Sequence, residues 1–157
     1  MEPDSDPPLH ELEPVLEFMR SLWAFDHALH RASIRMEATL GLTAQQRFVV
    51  RMLGRLPGLR PAQLAELLHV DRGSVTALIK RLEARGFARR RPDQSDGRSV
   101  RLSLTARGAK LDAPARVSVE HAVASVLSRT SAKDLAAVRR VLVRLVTALE
   151  ELGEVSE

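Results

Sequence analysis

Nine basic residues, Arg72, Lys80, Arg81, Arg85, Arg89, Arg90, Arg91, Arg98 and Arg101, fall within thirty positions that hold three acids, Glu83, Asp93 and Asp96. The surplus of six positive charges in that segment exceeds the +4 of the whole 157-residue chain. Guanidinium and ammonium groups at this density attract phosphate, so the segment carries the electrostatic footprint of a polyanion partner. A solvated charged face has the same composition, and charge alone does not separate the two. The first twenty residues have the opposite balance, with Glu2, Asp4, Asp6, Glu11, Glu13 and Glu17 against Arg20.

Other chemistries are poorly supplied. His27 and His30 stand at i, i+3 beside Asp26, and two imidazoles one helical turn apart can share a metal. No third ligand is evident nearby, so neither metal nor cofactor is expected, and a hydrogen-bonded or solvent-facing pair is the plainer reading. His10, His69 and His121 are isolated. There is no G-x-S-x-G elbow and no phosphate-cradling glycine loop, so an enzyme is not expected. The absence of cysteine excludes disulfide scaffolds, cysteine zinc fingers, iron–sulfur clusters and thiol chemistry. Aromatics make up 3% with no tyrosine, which disfavours base-stacking readers of RNA and single strands. No apolar run approaches the ~18 residues of a membrane span. The acidic, proline-rich start is unlike a secretory leader, so a cytoplasmic protein without a membrane partner is expected.

The elements that must position the basic segment can be read from periodicity. Residues 1–8, with three prolines, read as a disordered lead. Residues 9–40 form one long helical pattern through Leu12, Val15, Leu16, Met19, Leu22, Trp23 and Leu29, ended by Gly41. Thr43 and Gln46 have capping-box spacing for a second helix, with Phe48, Val49, Met52, Leu53 and Leu56 as its buried stripe. Pro57-Gly58 is a turn, and Pro61 suits the first position of a short third helix whose cap, Arg60, is poor. Asp71 caps a fourth, with Val75, Leu78, Ile79 and Leu82 inward and Gly86 at its end. The period then shifts to two: Phe87 to Arg91 pairs with a strand carrying Val100, Leu102 and Leu104, across a tip containing Asp96-Gly97. Thr105 caps a fifth helix running to about Ser128, which Pro114 must kink or break. Ser131 caps a sixth, whose Leu135, Val138, Leu142, Leu145, Leu149 and Leu152 make a heptad seam. That seam is either intramolecular or a dimer contact.

Two short helices and a tight turn followed by a β-hairpin make a winged helix-turn-helix. The major groove of B-DNA admits one helix, and the second helix of such a unit enters it. With Val75, Leu78, Ile79 and Leu82 inward, the outward face carries Gly73, Thr76, Ala77, Lys80 and Ala84. Small side chains there let the backbone approach base edges, and methyls of Thr76 and Ala77 suit thymine. Arg72 and Lys80 reach guanine or phosphate. Ser74 and the first-turn amides favour phosphate at the helix N-terminus. Arg89, Arg90 and Arg91 suit backbone phosphates, while Arg98 at the tip suits the minor groove, with Asp96 holding its guanidinium.

The stretch from Leu64 to Gly108 resembles the MarR family of bacterial transcription regulators. Arg81-Leu82-Glu83 with Gly86, the basic strand, Asp96-Gly97-Arg98 and Leu104-Thr105 with Gly108 all match its pattern. The resemblance implies a mostly α chain with a small β-hairpin wing, a winged helix-turn-helix joined to a helical dimerisation region. It implies an N-terminal dimerisation helix at 9–40, a DNA-binding region at 41–104 and C-terminal dimerisation helices at 105–157, within one compact domain. It further implies recognition roles for Arg72, Ser74, Thr76, Ala77 and Lys80, a wing role for Asp96 and Arg98, and an obligate homodimer on pseudo-palindromic duplex DNA. A small, aromatic or anionic effector, met by helix-one residues such as Trp23, Asp26 and His27, would release a repressor. His69 departs from the family, standing where the interhelical turn more often has glycine, and so does Gly73 inside the recognition helix. A winged-helix module for protein contacts alone, or a small metal-dependent enzyme built on His27 and His30, are the rival readings.

Overall fold

Most helices of the chain begin or end on residues that satisfy otherwise orphaned backbone groups. In the computed structural model, which describes residues 13–94, 96 and 99–154, α1 (Pro14–Leu40) starts on a proline and stops at Gly41. The left-handed φ of Gly41, 68°, lets its N–H reach the Glu37 carbonyl. The expected lead at 1–8 and the first positions of that helix lie outside the described residues. α2 (Ala44–Arg55) opens with the capping box: Gln46 N–H donates to Thr43 Oγ1 at 3.2 Å, and Thr43 N–H to Gln46 Oε1 at 3.3 Å. α3 (Pro61–Leu68) has Pro61 at its first position, and the Arg60 N–H donates to Gln63 Oε1. It ends on His69 at φ 50° and ψ 49°, the one non-glycine with positive φ among the described residues. That conformation costs a residue with a Cβ about 1–2 kcal/mol.

α4 (Arg72–Ala84) is closed by Gly86 at φ 69°. Gly86 N–H donates to Glu83 O, and Phe87 N–H to Leu82 O, the paired bonds of a Schellman end. β1 (Ala88–Pro92) therefore starts one residue later than the sequence suggests, because the Phe87 amide belongs to the helix end. It pairs antiparallel with β2 (Val100–Leu104), Ala88 opposite Leu104 and Pro92 opposite Val100. Leu59 adds a bridge on the other side of β2: Leu102 N–H donates to Leu59 O, and Gly58 N–H to Leu102 O. The Pro57-Gly58 turn thus also anchors the wing.

The core of this unit joins Leu42, Val49, Val50, Leu53, Leu64, Val75, Leu78, Ile79, Leu82, Phe87 and Leu102. On α2 the buried face is Gln46, Val49, Val50 and Leu53; Phe48 and Leu56, expected inside, are about half exposed at 46% and 47%. The apolar stripe is rotated so that Arg47 is also buried, its Nη2 donating to Ala113 O at 2.7 Å and its Nη1 to Leu111 O. Arg51 reaches the Asp112 carbonyl and, at 2.7 Å, its carboxylate. These two arginines satisfy carbonyls at the end of α5 (Ala106–Leu111).

The expected long fifth helix is broken. Pro114 lacks an N–H and disfavours helical geometry at Ala113, so α5 stops at Leu111. Ser118 restarts the chain as α6 (Val119–Leu127), accepting the His121 N–H. Residues up to Val117 form one compact unit, and those from Ser118 a second. The second contains α6 and α7 (Ala132–Glu154), the latter opened by Ser131, whose Oγ accepts the Asp134 N–H. The heptad seam of α7 is open in the single chain: Val138, Leu142, Leu149 and Leu152 are all exposed. On α1, Val15, Leu16, Met19 and Trp23 are likewise exposed, and Met36 is its one buried side chain. No helix among the described residues is long and apolar enough to cross a membrane.

Thr105 and Gly108 tie the hairpin to α5. Thr105 N–H donates to Phe87 O, Thr105 Oγ1 donates to Gly86 O at 2.6 Å, and the same oxygen accepts Gly108 N–H at 3.0 Å. A Cβ at Gly108 would overlap the Phe87 carbonyl. Gly108→Ala should therefore destabilise the fold by about 1–3 kcal/mol, the range of an overpacked core. Urea unfolding checks this; a midpoint equal to wild type would show that the junction yields without cost.

Candidate nucleic-acid interface

α4 is anchored by one apolar stripe and leaves most of its remaining side chains exposed. Val75, Leu78, Ile79 and Leu82 are 5% exposed or less, which fixes the helix's rotation. Arg72, Gly73, Thr76, Ala77 and Lys80 are consequently exposed, as the periodicity requires. Thr76 Oγ1 donates to the Arg72 carbonyl at 2.8 Å, so toward any ligand its oxygen is left as an acceptor and its methyl as an apolar contact.

The helix N-terminus is arranged differently from the sequence expectation. Ser74 N–H donates to Asp71 Oδ1 at 2.8 Å and Ser74 Oγ to Asp71 Oδ2 at 2.5 Å. Ser74's two donors are therefore engaged by the cap, and a carboxylate already occupies the place where a phosphate was expected. A Cβ at Gly73 would stand 2.9 Å from Asp71 Oδ1, the movable end of the cap side chain.

The wing presents two different faces. Opposed residues share a face, so Ala88, Arg90, Leu102 and Leu104 lie on the core side, while Arg89, Arg91, Arg101 and Ser103 lie on the outer side. Arg90 pairs with Glu83 of α4 at 3.4 Å and thereby bridges strand and helix. Arg89 Nε donates to Ser103 Oγ at 3.3 Å, and Arg91 is exposed opposite Arg101. Asp96 is exposed, accepting the Ser99 hydroxyl at 2.5 Å and, through its carbonyl, the Ser99 N–H. Arg98 lies outside the described residues.

Sequence reasoning passed over Asp93, which it counted only as one acid among the bases. Asp93 is 6% exposed, and its Oδ2 accepts from both Arg60 Nη2 at 3.0 Å and Arg101 Nε at 2.8 Å. Arg101 Nη1 also donates to Gly58 O at 3.1 Å. Asp93's partner Arg60 is 33 residues away, and no local pattern in the sequence marks the pair. Trp23, Asp26 and His27 sit together on exposed α1, with His30 one turn on. Among the described residues no group of three or more His, Cys, Asp or Glu could hold a metal.

The Ser74 hydroxyl and amide hold the Asp71 carboxyl below its ordinary value, the hydroxyl contributing most. A carboxyl whose folded pKa is depressed stabilises the fold fully above its unfolded value of about 3.9 and loses that contribution as pH falls through the folded value. Asp71→Ala should thus lower the melting temperature at pH 7, with the gap from wild type closing in strongly acidic buffer. A gap independent of pH would show that the carboxylate charge is not what caps α4.

Comparison with known proteins agrees with this geometry. The MarR family model matches residues 42–100, which span α2 to the second strand of the wing. HTH-type transcriptional repressor Rv2887 of Mycobacterium tuberculosis is 37% identical over 106 residues, covering 68% of this chain and 76% of that one. A mutant MarR of Escherichia coli complexed with operator DNA superposes with a TM-score of 0.66 at 23% identity, covering 83% of this chain and 94% of the other. The PcaV transcriptional regulator of Streptomyces coelicolor, in complex with its natural ligand, gives the same score at 23% identity, covering 93% and 99%. With winged helix-turn-helix, hairpin and relatives in accord, the chain belongs to the MarR family.

Proposed function

We propose that the protein is a homodimeric, sequence-specific binder of double-stranded DNA that regulates transcription, acting in the cytoplasm as a repressor and not as an enzyme. The observation that carries this reading is α4: a helix anchored by one buried stripe, with a small, cation-bearing face exposed beside an arginine-rich hairpin. Thr76 and Ala77 would meet base edges, Arg72 and Lys80 would reach guanine or phosphate, and Gly73 and Ser74 would lie beside them. Arg89 and Arg91 would hold the backbone, with Arg90 fixing the wing, and the tip residues Asp96 and Arg98 would address the minor groove. The repressor relative and the operator complex of a structural neighbour support the same reading.

Residues 41–104 are then the DNA-binding region, and the helices at 9–40 and 105–157 build the dimer. Support for a dimer comes from the apolar side chains that α1 and α7 leave exposed, including Trp23 at 62% and Leu149 at 62%. Two-fold symmetry places two half-sites about one helical turn apart, roughly 10 base pairs. An effector meeting Trp23, Asp26 and His27 would act by favouring a dimer spacing that no longer fits the DNA; one structural neighbour is itself in complex with its natural ligand.

Selection of bound sequences from random duplex DNA should return a pseudo-palindrome. On that site Lys80→Ala should cost about 1–3 kcal/mol and relax preference at one position per half-site. Recovery of no common sequence, or an unchanged affinity, would remove α4 from the role of reader. In sedimentation the wild type should run as a dimer, and the double change Leu142→Arg with Leu149→Arg as a monomer with much weaker operator binding. A dimer that survives both charges would show that the seam of α7 is not the interface.

A further inference from the structure

We infer that Arg60 and Arg101, pinned side by side by the buried Asp93, form a seat for a DNA backbone phosphate at the root of the wing. The inference rests on the reading of the protein as a duplex DNA binder and adds a contact which that reading does not contain. Two guanidiniums meet on a single carboxylate oxygen, Asp93 Oδ2, at 3.0 and 2.8 Å. The carboxylate is almost fully buried, while the Arg60 and Arg101 side chains keep 45% and 40% of their surface open. The acid is thus inside and the cations face outward.

Like charges do not gather without a reason. Two cations share one anion here, and Arg91 stands directly across from Arg101 in the strand register, which is itself unfavourable. The cluster keeps a positive surplus on the outer face of the hairpin, continuous with Arg89. The guanidiniums are also tethered. Arg101 is held a second time by the Gly58 carbonyl, and the segment that bears Arg60 is fastened to the hairpin by the Leu59–Leu102 bridge. Each guanidinium has five N–H groups; one of Arg60's is donated to Asp93, and Arg101 donates to Asp93 and to Gly58. Their remaining N–H groups are left for the paired donor contacts by which guanidiniums recognise phosphate oxygens. Asp93 is the positioning residue of the seat, since its carboxylate is turned inward and holds the pair together.

The test exploits an opposition of signs. Asp93→Asn removes one negative charge from a DNA-binding surface, so electrostatics alone predicts tighter binding. If the carboxylate positions the two arginines, binding weakens instead. Affinity for the selected duplex and for a random duplex is measured from low to physiological salt, using the wild type, Asp93→Asn, Arg60→Gln and Arg101→Gln. Each arginine change should weaken both duplexes by the same factor and reduce the slope of log affinity against log salt by about one per wing. Asp93→Asn should also weaken both duplexes without altering base preference. An Asp93→Asn variant that binds more tightly, or arginine variants with the wild-type slope, would overturn the seat while leaving DNA binding intact. A wild type with no salt-dependent affinity for either duplex would fell the broader reading, and this one with it. Should Asp93→Asn not fold, as thermal melting would show, the two arginine variants decide the matter.

Discussion

α4 is held by four side chains, and what it offers outward is whatever that burial leaves over. Val75, Leu78, Ile79 and Leu82 are each removed from water, a contribution of roughly 6–12 kcal/mol before conformational entropy is subtracted. A helix of this kind has no second way to sit: turning it by one residue would expose the stripe and bury Lys80. The exposed face is therefore as well determined as the core. Its ends are determined too, by Asp71 at one and by Gly86 at the other. The Phe87 carbonyl then receives the Thr105 N–H, so the end of the helix, the start of the wing and the start of α5 are joined within a few bonds.

The wing faces a different constraint, that of holding arginines close together without an equal number of acids. It resolves the problem by dividing them. Arg90 is turned toward the helix and paired with Glu83; Arg101 and Arg60 converge on Asp93; among the described residues Arg89 meets a hydroxyl and no acid. Charge is compensated on the side that packs against the domain and left in excess on the side that faces water. A hairpin built only for stability would have no use for that asymmetry, whereas one that meets a polyanion would.

How much of this was legible beforehand follows from sequence separation. The caps at Thr43, Asp71, Thr105 and Ser131, and the stops at Gly41 and Gly86, are decided within three to five residues, and all stand where the residue types put them. The exposed face of α4 was readable for the same reason, since periodicity is local. Asp93 meets Arg60 across 33 residues, and Arg47 meets Ala113 across 66; nothing in either neighbourhood announces the other. Phe48 and Leu56 misled because an apolar residue on a helix marks a face that wants covering without saying what covers it. Val50, equally apolar, is the one the domain buries.

Gly73 sits inside the cap of α4, between Asp71 and Ser74. A glycine in the first turn of a recognition helix costs about 1 kcal/mol against alanine and invites a functional explanation, such as close approach to a base. The structure also shows a nearer contact. The Asp71 carboxylate that accepts from Ser74 lies over position 73, and a Cβ would press on it. The same carboxylate accepts the hydrogen bond of the Ser74 hydroxyl, which on sequence alone was available to a phosphate. The negative charge at the head of α4 thus trades anion binding at the helix tip for a firmly started helix. In the proposed function, phosphate contacts would then fall to Arg72, Lys80 and the arginines of the wing, and base contacts to Thr76 and Ala77, one turn further on.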